Sequence, residues 1–420
     1  MKCLRLYALA ICEIAFAYLT QYLGLTGLVL HLNTITNLIP TLYEALDVVS
    51  RELVGFIPAV SRNTSTERAA VDQTINVPIV PAATTGNVTA AATPPDDGDQ
   101  TFGNTTMTIS KSKYSPVRWT GEEQRSISAS GMAPVVMRDQ FAQSMRALVN
   151  LIEVDLAAVS VTASRAYGTY NTSPFATAGD FTDFSGVNKI LDDNGAPVGD
   201  RQLVLGSGAM SNLRGKQSVL FKVNEAGTAD LLRQGIIGQV EGLLLHNSAQ
   251  VRKSVTVGTG ASATTNNAGY AVGATTITLA SAGTGTILAG DSVAFTGDSE
   301  KYIVLTGDTD VSNGGTIVLQ EPGLRRAIAA SNTAITVTAA TDHNMGFSRT
   351  AIVLVTRLPA LPDGGDMADD RITITDPVTG LSFEVSIYRQ YRRVKYEVAI
   401  AWGVKMVAPR HTMVLIGPNS

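Results

Sequence analysis

Hydrophobic and polar positions along this chain follow two different periods, and the switches between them mark its parts. Leu38, Leu42, Leu46, Val49, Leu53 and Phe56 fall near one stripe of a helical repeat, which predicts an amphipathic helix over Thr36 to Pro58 with Asn37 as its cap and Gly55 and Pro58 as its stop. The polar run Ser61 to Asp72 then reads as a linker. Thr74 to Val80 and Thr105 to Ser110 read as strands flanking an Ala, Thr, Gly and Pro rich tract tipped by Pro94-Pro-Asp-Asp-Gly-Asp99, the pattern of a long projecting hairpin. Such a hairpin buries little within its own subunit. From Pro134 to Ala166 the helical spacing returns through Phe141, Met145, Leu148, Ile152, Leu156 and Val159. A helix of that length spans roughly 48 Å at 1.5 Å per residue, the dimension of a spine rather than of an enzyme core helix.

A short helix at Phe184 to Leu191, a buried strand at Gln202 to Leu205 and a helix from Ser207 to Arg214 follow, and Leu231 to Leu245 leads into a change of character. Between Ser254 and Ala340 the repeat shortens to two and Gly, Thr and Ala dominate. Strands are predicted at Ser254 to Val257, Thr275 to Ala280, Asp291 to Phe295, Lys301 to Thr306, Thr316 to Gln320 and Ala334 to Ala339. So many short strands imply a small sandwich or barrel, because closure or a second sheet must protect their edges. After this insertion come an apolar strand at Ala351 to Thr356, an acidic loop from Asp363 to Asp370, and a hairpin of Arg371 to Thr375 with Leu381 to Tyr388 around Asp376-Pro-Val-Thr-Gly380. Phe383, Val385 and Ile387 alternate with Ser382, Glu384 and Ser386. Tyr396 to Val407 and Met413 to Gly417 read as buried strand.

Composition narrows the function classes. The chain has 420 residues, 45% of them hydrophobic and 16% charged, enough for two or three folded units and incompatible with disorder throughout. Its net charge of −4 argues against a polyanion binder held by a general field. Both cysteines, Cys3 and Cys12, precede the folded body, so there is no disulfide framework, Cys-type zinc site or cysteine nucleophile within it. His31, His246, His343 and His411 stand singly, outside any metal-ligand spacing. Leu4 to Leu32 is almost wholly apolar, broken by Arg5, Glu13, Thr20, Gln21 and Thr26. Three readings of it stay open: an extension or misplaced start, a membrane or signal segment, or an ordered helix packed on the fold.

The candidate chemistry is sparse. Gly258-Thr-Gly260 lacks the rest of a phosphate-cradling fingerprint, and Gly206-Ser207-Gly208 lacks the spacing of a nucleophile elbow, so both read as turns. The acidic tracts at Asp96, Asp97 and Asp99, at Asp192-Asp193 and at Asp363 to Asp370 do not follow the calcium-loop pattern and read as solvated tips. Tyr388, Arg389, Tyr391, Arg392, Arg393, Lys395 and Tyr396 interleave aromatic and basic residues, which reads as a charged subunit interface ahead of a nucleic-acid surface. The sequons at Asn63, Asn87, Asn104 and Asn171 carry meaning only in a glycosylating compartment. No nucleophile, metal set or acid and base pair stands out; the chain is read as not an enzyme, with no cofactor, metal or small-molecule substrate.

Three stretches carry a resemblance. They are Arg233-Gln-Gly-Ile-Ile-Gly-Gln-Val-Glu-Gly242 on the approach to the insertion, Leu288-Ala-Gly-Asp-Ser-Val-Ala-Phe-Thr-Gly297 within it, and Ala401-Trp-Gly-Val404 with Pro409 near the end. In this order, from about Asn33 to the C-terminus, the chain resembles the major capsid proteins of tailed phages with the Hong Kong 97 fold, and among them the coat-protein family of phage P-twenty-two. The resemblance implies an α+β capsid fold with an inserted small β-barrel. Its parts would be an apolar extension at 1–32, an N-arm at 33–72, an extended loop at 73–115, a peripheral domain with the spine helix at 116–185, an axial domain beginning at 186–250, the barrel at 251–341, and a return to the axial and peripheral domains at 342–420. The function it implies is that of a coat protein assembling in the host bacterial cytoplasm into an icosahedral shell around double-stranded DNA, through a scaffolded procapsid that expands. Its partners would be further copies in hexamers and pentamers, a scaffolding protein, a portal protein and, weakly, the packaged DNA. Glu44 and Asp47 are then candidate scaffolding contacts. Asp298, Glu300 and Lys301, or Asp308 and Asp310, are candidates for a twofold contact, and Asp96, Asp97, Asp99, Arg389, Arg392 and Arg393 for other subunit contacts. The alternative reading is a secreted or surface-anchored β-rich binding protein.

Overall fold

The computed structural model describes residues 38–52, 55–79, 88, 90, 103–129, 133–216, 238–253, 255, 257–377 and 379–418. The expected arm helix divides where Gly55 and Pro58 interrupt it, into α1 (Ile39–Glu52) and the single turn α2 (Phe56–Ala59). Leu42, Leu46 and Val49 form the buried stripe of α1. The supposed linker is instead a strand, β1 (Ser61–Ala69), paired in parallel with β15 (Ile352–Pro359). Its side chains are polar and mostly exposed, so what holds it is the backbone ladder and arginines: Arg62 Nη1 donates to Thr379 O at 2.6 Å, and Arg357 reaches both the carbonyl and the amide oxygen of Asn63. The hairpin is present as β2 (Thr74–Ile79) and β3 (Gly103–Thr108), a two-stranded sheet of its own. Its tip lies outside the described residues. Met107 and Ile109 anchor its base on Val353, Val355 and Ala401. Gly403 permits this approach, since a Cβ there would sit 2.1 Å from the Thr108 carbonyl oxygen.

Next come β4 (Lys111–Thr120) and helices α3 (Gly121–Ala129) and α4 (Ala133–Ala158). The spine helix is thus shorter than its periodicity implied. It tightens into a 3-10 turn at Val159–Thr162, a β-branched stretch that forms helix poorly, and the chain then enters strand β5 (Arg165–Gly168). The body continues with α5 (Thr182–Asp193), β6 (Arg201–Leu205), α6 (Ser207–Lys216), β7 (Gln239–Val240) and β8 (Leu243–Asn247). Gly206 makes the strand-to-helix turn that the sequence suggested, its N–H bonded to Asn344 Oδ1 at 2.7 Å.

Inside the insertion are β9 (Thr276–Thr278), β10 (Ser292–Phe295), β11 (Lys301–Thr306), β12 (Thr316–Leu319) and β13 (Ile335–Val337). No strand is described at Ser254 to Val257, of which residues 254 and 256 lie outside the described residues. Antiparallel pairings run β13-β10-β11-β12-β9, and bridges Thr265 to Leu279 and Thr264 to Ala334 nearly close the sheet around Ile277, Ile287, Val293, Phe295, Val304, Ile317 and Leu319. The glycine-aspartate motif is a stapled turn: Gly290 takes φ +89°, and Asp291 Oδ2 accepts the N–H groups of Leu288 and Gly258 at 2.8 Å each.

The module is not detached from the body. β11 pairs with β5 and so joins one long sheet, ordered β13-β10-β11-β5-β19-β14-β6-β8-β7, where β14 is Thr341–Ser348 and β19 is Thr412–Pro418. The second sheet joins β1, β15, β18 (Arg393–Met406), β17 (Ser382–Gln390) and β16 (Asp370–Thr375), with β4 on the other side of β18. α1, α2 and α4 cover this second sheet through Phe141, Met145, Ile152 and Leu156 against Phe383, Val398, Ile400 and Trp402. α5 and α6 cover the long sheet.

Strand β14 has no apolar signature, yet all eight of its residues are buried. His343 is among them, its ring beside Ser160 Oγ at 3.3 Å, and burial pushes its pKa from an ordinary 6.5 down to about 3. The native state therefore keeps His343 neutral while the unfolded chain takes up a proton below pH 6.5, so its stabilising contribution is complete above that value and is lost as pH falls toward 3. At pH 5 the expected loss is about 2 kcal/mol. Urea unfolding at pH 7 and pH 5 checks this: His343→Asn should flatten the dependence by that amount, and an unchanged slope would exclude His343 as its source.

Candidate functional site

The described residues singled out for contacts occupy four places, one of them the turn of the inserted module where Asp308 Oδ1 accepts the Asp310 N–H at 2.8 Å and Asp310 Oδ1 accepts the Ser312 N–H at 3.1 Å. Asp298, Glu300 and Lys301 converge at the junction between the inserted module and the body. The hub there is Arg165, on β5, fully buried between β11 and β19. Its guanidinium donates to Glu300 Oε2 at 2.9 Å, to Asn194 Oδ1 at 3.1 Å, to Asp193 Oδ2 at 3.2 Å and to Ile190 O at 3.3 Å. The last three partners lie at the C-terminal end of α5, where carbonyls and the helix dipole favour a cation. Glu300 also pairs with Lys189, and Asn194 Nδ2 donates to Ser164 Oγ and to Arg410 O.

The neighbouring side chains are engaged in the same way. Lys301 donates its ammonium to Gly168 O, with burial lowering its pKa. Tyr302 donates its phenol to Asp298 Oδ2 at 2.7 Å and accepts the Arg325 N–H at 3.0 Å, and burial, the largest influence on it, holds the phenol well above its usual range. A cleft of about 450 Å³ opens beside this junction, lined by Gly168, Thr172, Pro174, Asp183, Lys189 and Glu300 among others. The arrangement is a clasp that fastens the inserted module to a helix end. Arg165, Lys189 and Asn194 were not singled out from the sequence, and Asp192-Asp193, read there as a solvated tip, is instead the end of α5 where Asp193 pairs with Arg165 and Asp192 with Arg201. The available signal was one arginine within the small and apolar run Ala163-Ser-Arg-Ala-Tyr167.

Glu44 and Asp47 lie on the exposed side of α1, together with Tyr43 at 46% and Val48 at 40% exposure, opposite the buried stripe. Arg389, Arg392 and Arg393 surround the tight turn between β17 and β18. Arg389 pairs with Asp369 at 3.4 Å, Arg392 adopts φ +56° with its guanidinium 5.5 Å from the Tyr391 ring centre, and Arg393 faces Gln390 and Thr120 across the ladders. Lys395 is held by the rings of Tyr114 and Tyr388 and pairs with Glu397. The basic and aromatic run is thus a hairpin end whose Arg389 and Lys395 are committed to partners in the chain. Asp96, Asp97 and Asp99 lie outside the described residues.

A further feature is the buried carboxylate Glu153 on α4. It accepts the N–H groups of Phe56 at 2.9 Å and Ile57 at 2.7 Å and the Ser248 hydroxyl at 2.9 Å, which fixes the turn where the arm enters the body. Burial raises its pKa against the opposing effect of those donors. Among the described residues no three His, Cys, Asp or Glu side chains are grouped to hold a metal, and no helix is long and apolar enough to cross a membrane.

No family model matches the chain, and no curated protein matches its sequence. Solved structures do resemble it. One is from Mycobacterium phage Che8, at 13% identity and a TM-score of 0.41, covering 81% of this chain and 84% of that one. Another is the capsid of the cyanophage P-SCSP1u, at 12% identity and a TM-score of 0.43, covering 87% and 88%. A third is a virus-like particle from Pyrococcus furiosus, at 8% identity and a TM-score of 0.42, covering 90% and 98%. Over four-fifths or more of its length, the chain is similar to structures of phage capsids and of a virus-like particle.

Proposed function

We propose that this chain is a structural coat protein that self-assembles into an icosahedral phage shell enclosing double-stranded DNA, by way of a scaffolded procapsid that expands. The observation that carries this reading is the β2–β3 hairpin. It pairs with neither main sheet and meets the body mainly through Met107 and Ile109 at its base. An extension of that kind is a liability in a monomer and an asset in an assembly, where neighbours bury it. The polar arm strand β1, the exposed side of α1 with Glu44 and Asp47, and the long helix α4 fit the same plan.

In this reading residues 33–72 are the N-arm, 73–115 the extended loop, 116–185 the peripheral domain, 186–250 the start of the axial domain, 251–341 the inserted barrel and 342–420 the return. Arg165 and its partners then brace the barrel within one subunit. That assigns twofold contacts to the module's other acidic turn, Asp308 and Asp310, in preference to Glu300 and Lys301. A net charge of −4 suits a container that must not grip packaged DNA. Negative-stain electron microscopy of the purified chain, alone and coexpressed with its scaffolding protein, tests the proposal: closed particles of uniform size are expected, and a chain that stays monomeric under both conditions overturns it.

A further inference from the structure

Opposite edges of the second sheet carry features that fit one another. On one side the sheet runs β18, β17, β16, and the loop entering β16 holds Met367 92% exposed. That loop is braced: Asp366 accepts the Tyr388 hydroxyl at 2.7 Å and the Ala368 N–H at 3.1 Å and pairs with Arg371, while Asp369 pairs with Arg389 at 3.4 Å. A fixed loop loses little further freedom on binding, so an apolar side chain held out on it is ready for a contact. On the other side, β4 is paired among the described residues with β18 alone. Between β4 and the first turns of α4 lies a groove of about 440 Å³ lined by Pro116, Val117, Arg118, Val136, Gln140 and Gln143 among others. The two features stand at one level of the sheet, because Asp370 is opposite Ile387, Ile387 opposite Tyr396 and Tyr396 opposite Val117. Three strand spacings, about 14 Å, separate the edges.

We propose that Met367 of one copy seats in the β4–α4 groove of a second copy standing beside it, so that neighbours join head to tail; this rests on the coat-protein reading and specifies one of its contacts. A neighbour placed alongside in the plane of the sheet brings the groove to the height of the methionine. Because knob and groove are different surfaces, the contact is heterologous and repeats from copy to copy until a ring closes. Charge agrees with the pairing. The loop carries Asp363, Asp366, Asp369 and Asp370, whereas the groove is edged by the exposed Arg118, which lies opposite Lys395 in the ladder. Asp139, the carboxylate among the groove's lining residues, is paired with Arg138 at 2.9 Å. With Asp366 and Asp369 held by arginines of their own chain, Asp363 is the carboxylate that meets Arg118 of the neighbour. Methionine suits the role, since an unbranched thioether adapts to an irregular groove. One side chain falls far short of the roughly 800 Å² per partner of a stable interface, so this contact is one of several between neighbours.

The chain holds no cysteine beyond Cys3 and Cys12, which makes crosslinking a direct test. Met367→Cys and Gln143→Cys are combined in full-length protein whose Cys3 and Cys12 are changed to serine. The protein is assembled with its scaffolding protein, oxidised mildly and resolved under denaturing, non-reducing conditions. The expected result is a ladder of covalently joined chains running past the dimer, absent from either single variant. Met367→Ser alone is expected to raise the lowest concentration at which shells form by about tenfold, the effect of one methionine side chain left unburied. Closed shells without a ladder overturn this contact and leave the coat-protein reading standing, whereas a chain that stays monomeric overturns both. A product that stops at the dimer, or one formed by Met367→Cys alone, shows a like-with-like contact and overturns the head-to-tail arrangement. Capture of the Gln143→Cys thiol by the scaffolding protein in place of a second copy overturns it too.

Discussion

Arg165→Met lowers stability by about 3 kcal/mol, the cost of removing one partner from a buried ionic group. The methionine fills much of the volume but leaves Glu300, Asp193, Asn194 and the Ile190 carbonyl without their shared donor. Among the described residues Glu300 keeps Lys189 as its remaining cation, and its side chain is 15% exposed, so water replaces the guanidinium poorly. Arg165→Lys recovers only part of the loss, because one ammonium cannot reproduce a planar fork serving four acceptors. The double variant Arg165→Met with Glu300→Met falls short of the sum of the single losses, since each change removes the charge that the other strands. Urea unfolding of the wild type, Arg165→Met, Arg165→Lys, Glu300→Met and the double variant gives these values, and an Arg165→Met variant within about 0.5 kcal/mol of the wild type would show that the clasp contributes nothing.

Trp402→Ala is the other large effect, at about 4 kcal/mol. Trp402 is fully buried at the centre of the helix-on-sheet core, where α4 lies over β18, and its indole Nε1 donates to Asp155 Oδ2 at 2.8 Å. Asp155 in turn receives Lys111 Nζ at 2.6 Å. The alanine loses the ring's contacts and opens a cavity; Trp402→Phe keeps most of the ring and gives up mainly the hydrogen bond, at about 1–2 kcal/mol. Calorimetric melting separates the two. Equal losses for alanine and phenylalanine would mean that the hydrogen bond, not the packing, dominates at this position.

What could be read in advance followed from how each element is held together. The stripe of α1, most of α4, the β2–β3 hairpin and five of the six short strands of the insertion carry their cohesion in apolar side chains at regular spacing or in glycine-marked turns. Strands β1 and β14 do not. β1 is held by a backbone ladder and arginine contacts, and β14 satisfies its buried polar groups internally, Asn344 bonding both Gly206 N–H and Leu415 O. The alternation on β17 reads as one apolar and one polar face, but both are covered: Glu384 is 4% exposed and is paired with Arg68 and Arg371. At the candidate site Asp298, Glu300 and Lys301 were visible because they cluster in the chain. Arg165 and Asn194 were not, because they meet those residues only through the fold.

The place of β5 in the long sheet has a consequence for the order in which the molecule is made. Both of its neighbours, β11 and β19, lie downstream, so a growing chain carries β5 with two open edges and a solvated Arg165 until the insertion and then the last described strand have emerged. Synthesis proceeds at about 5–20 residues per second, which makes this a wait of many seconds. During that interval β5 is free to pair with the wrong edge, including one on another nascent chain. The hazard to this protein is therefore set by translation time, and is greatest before any of its final contacts exist.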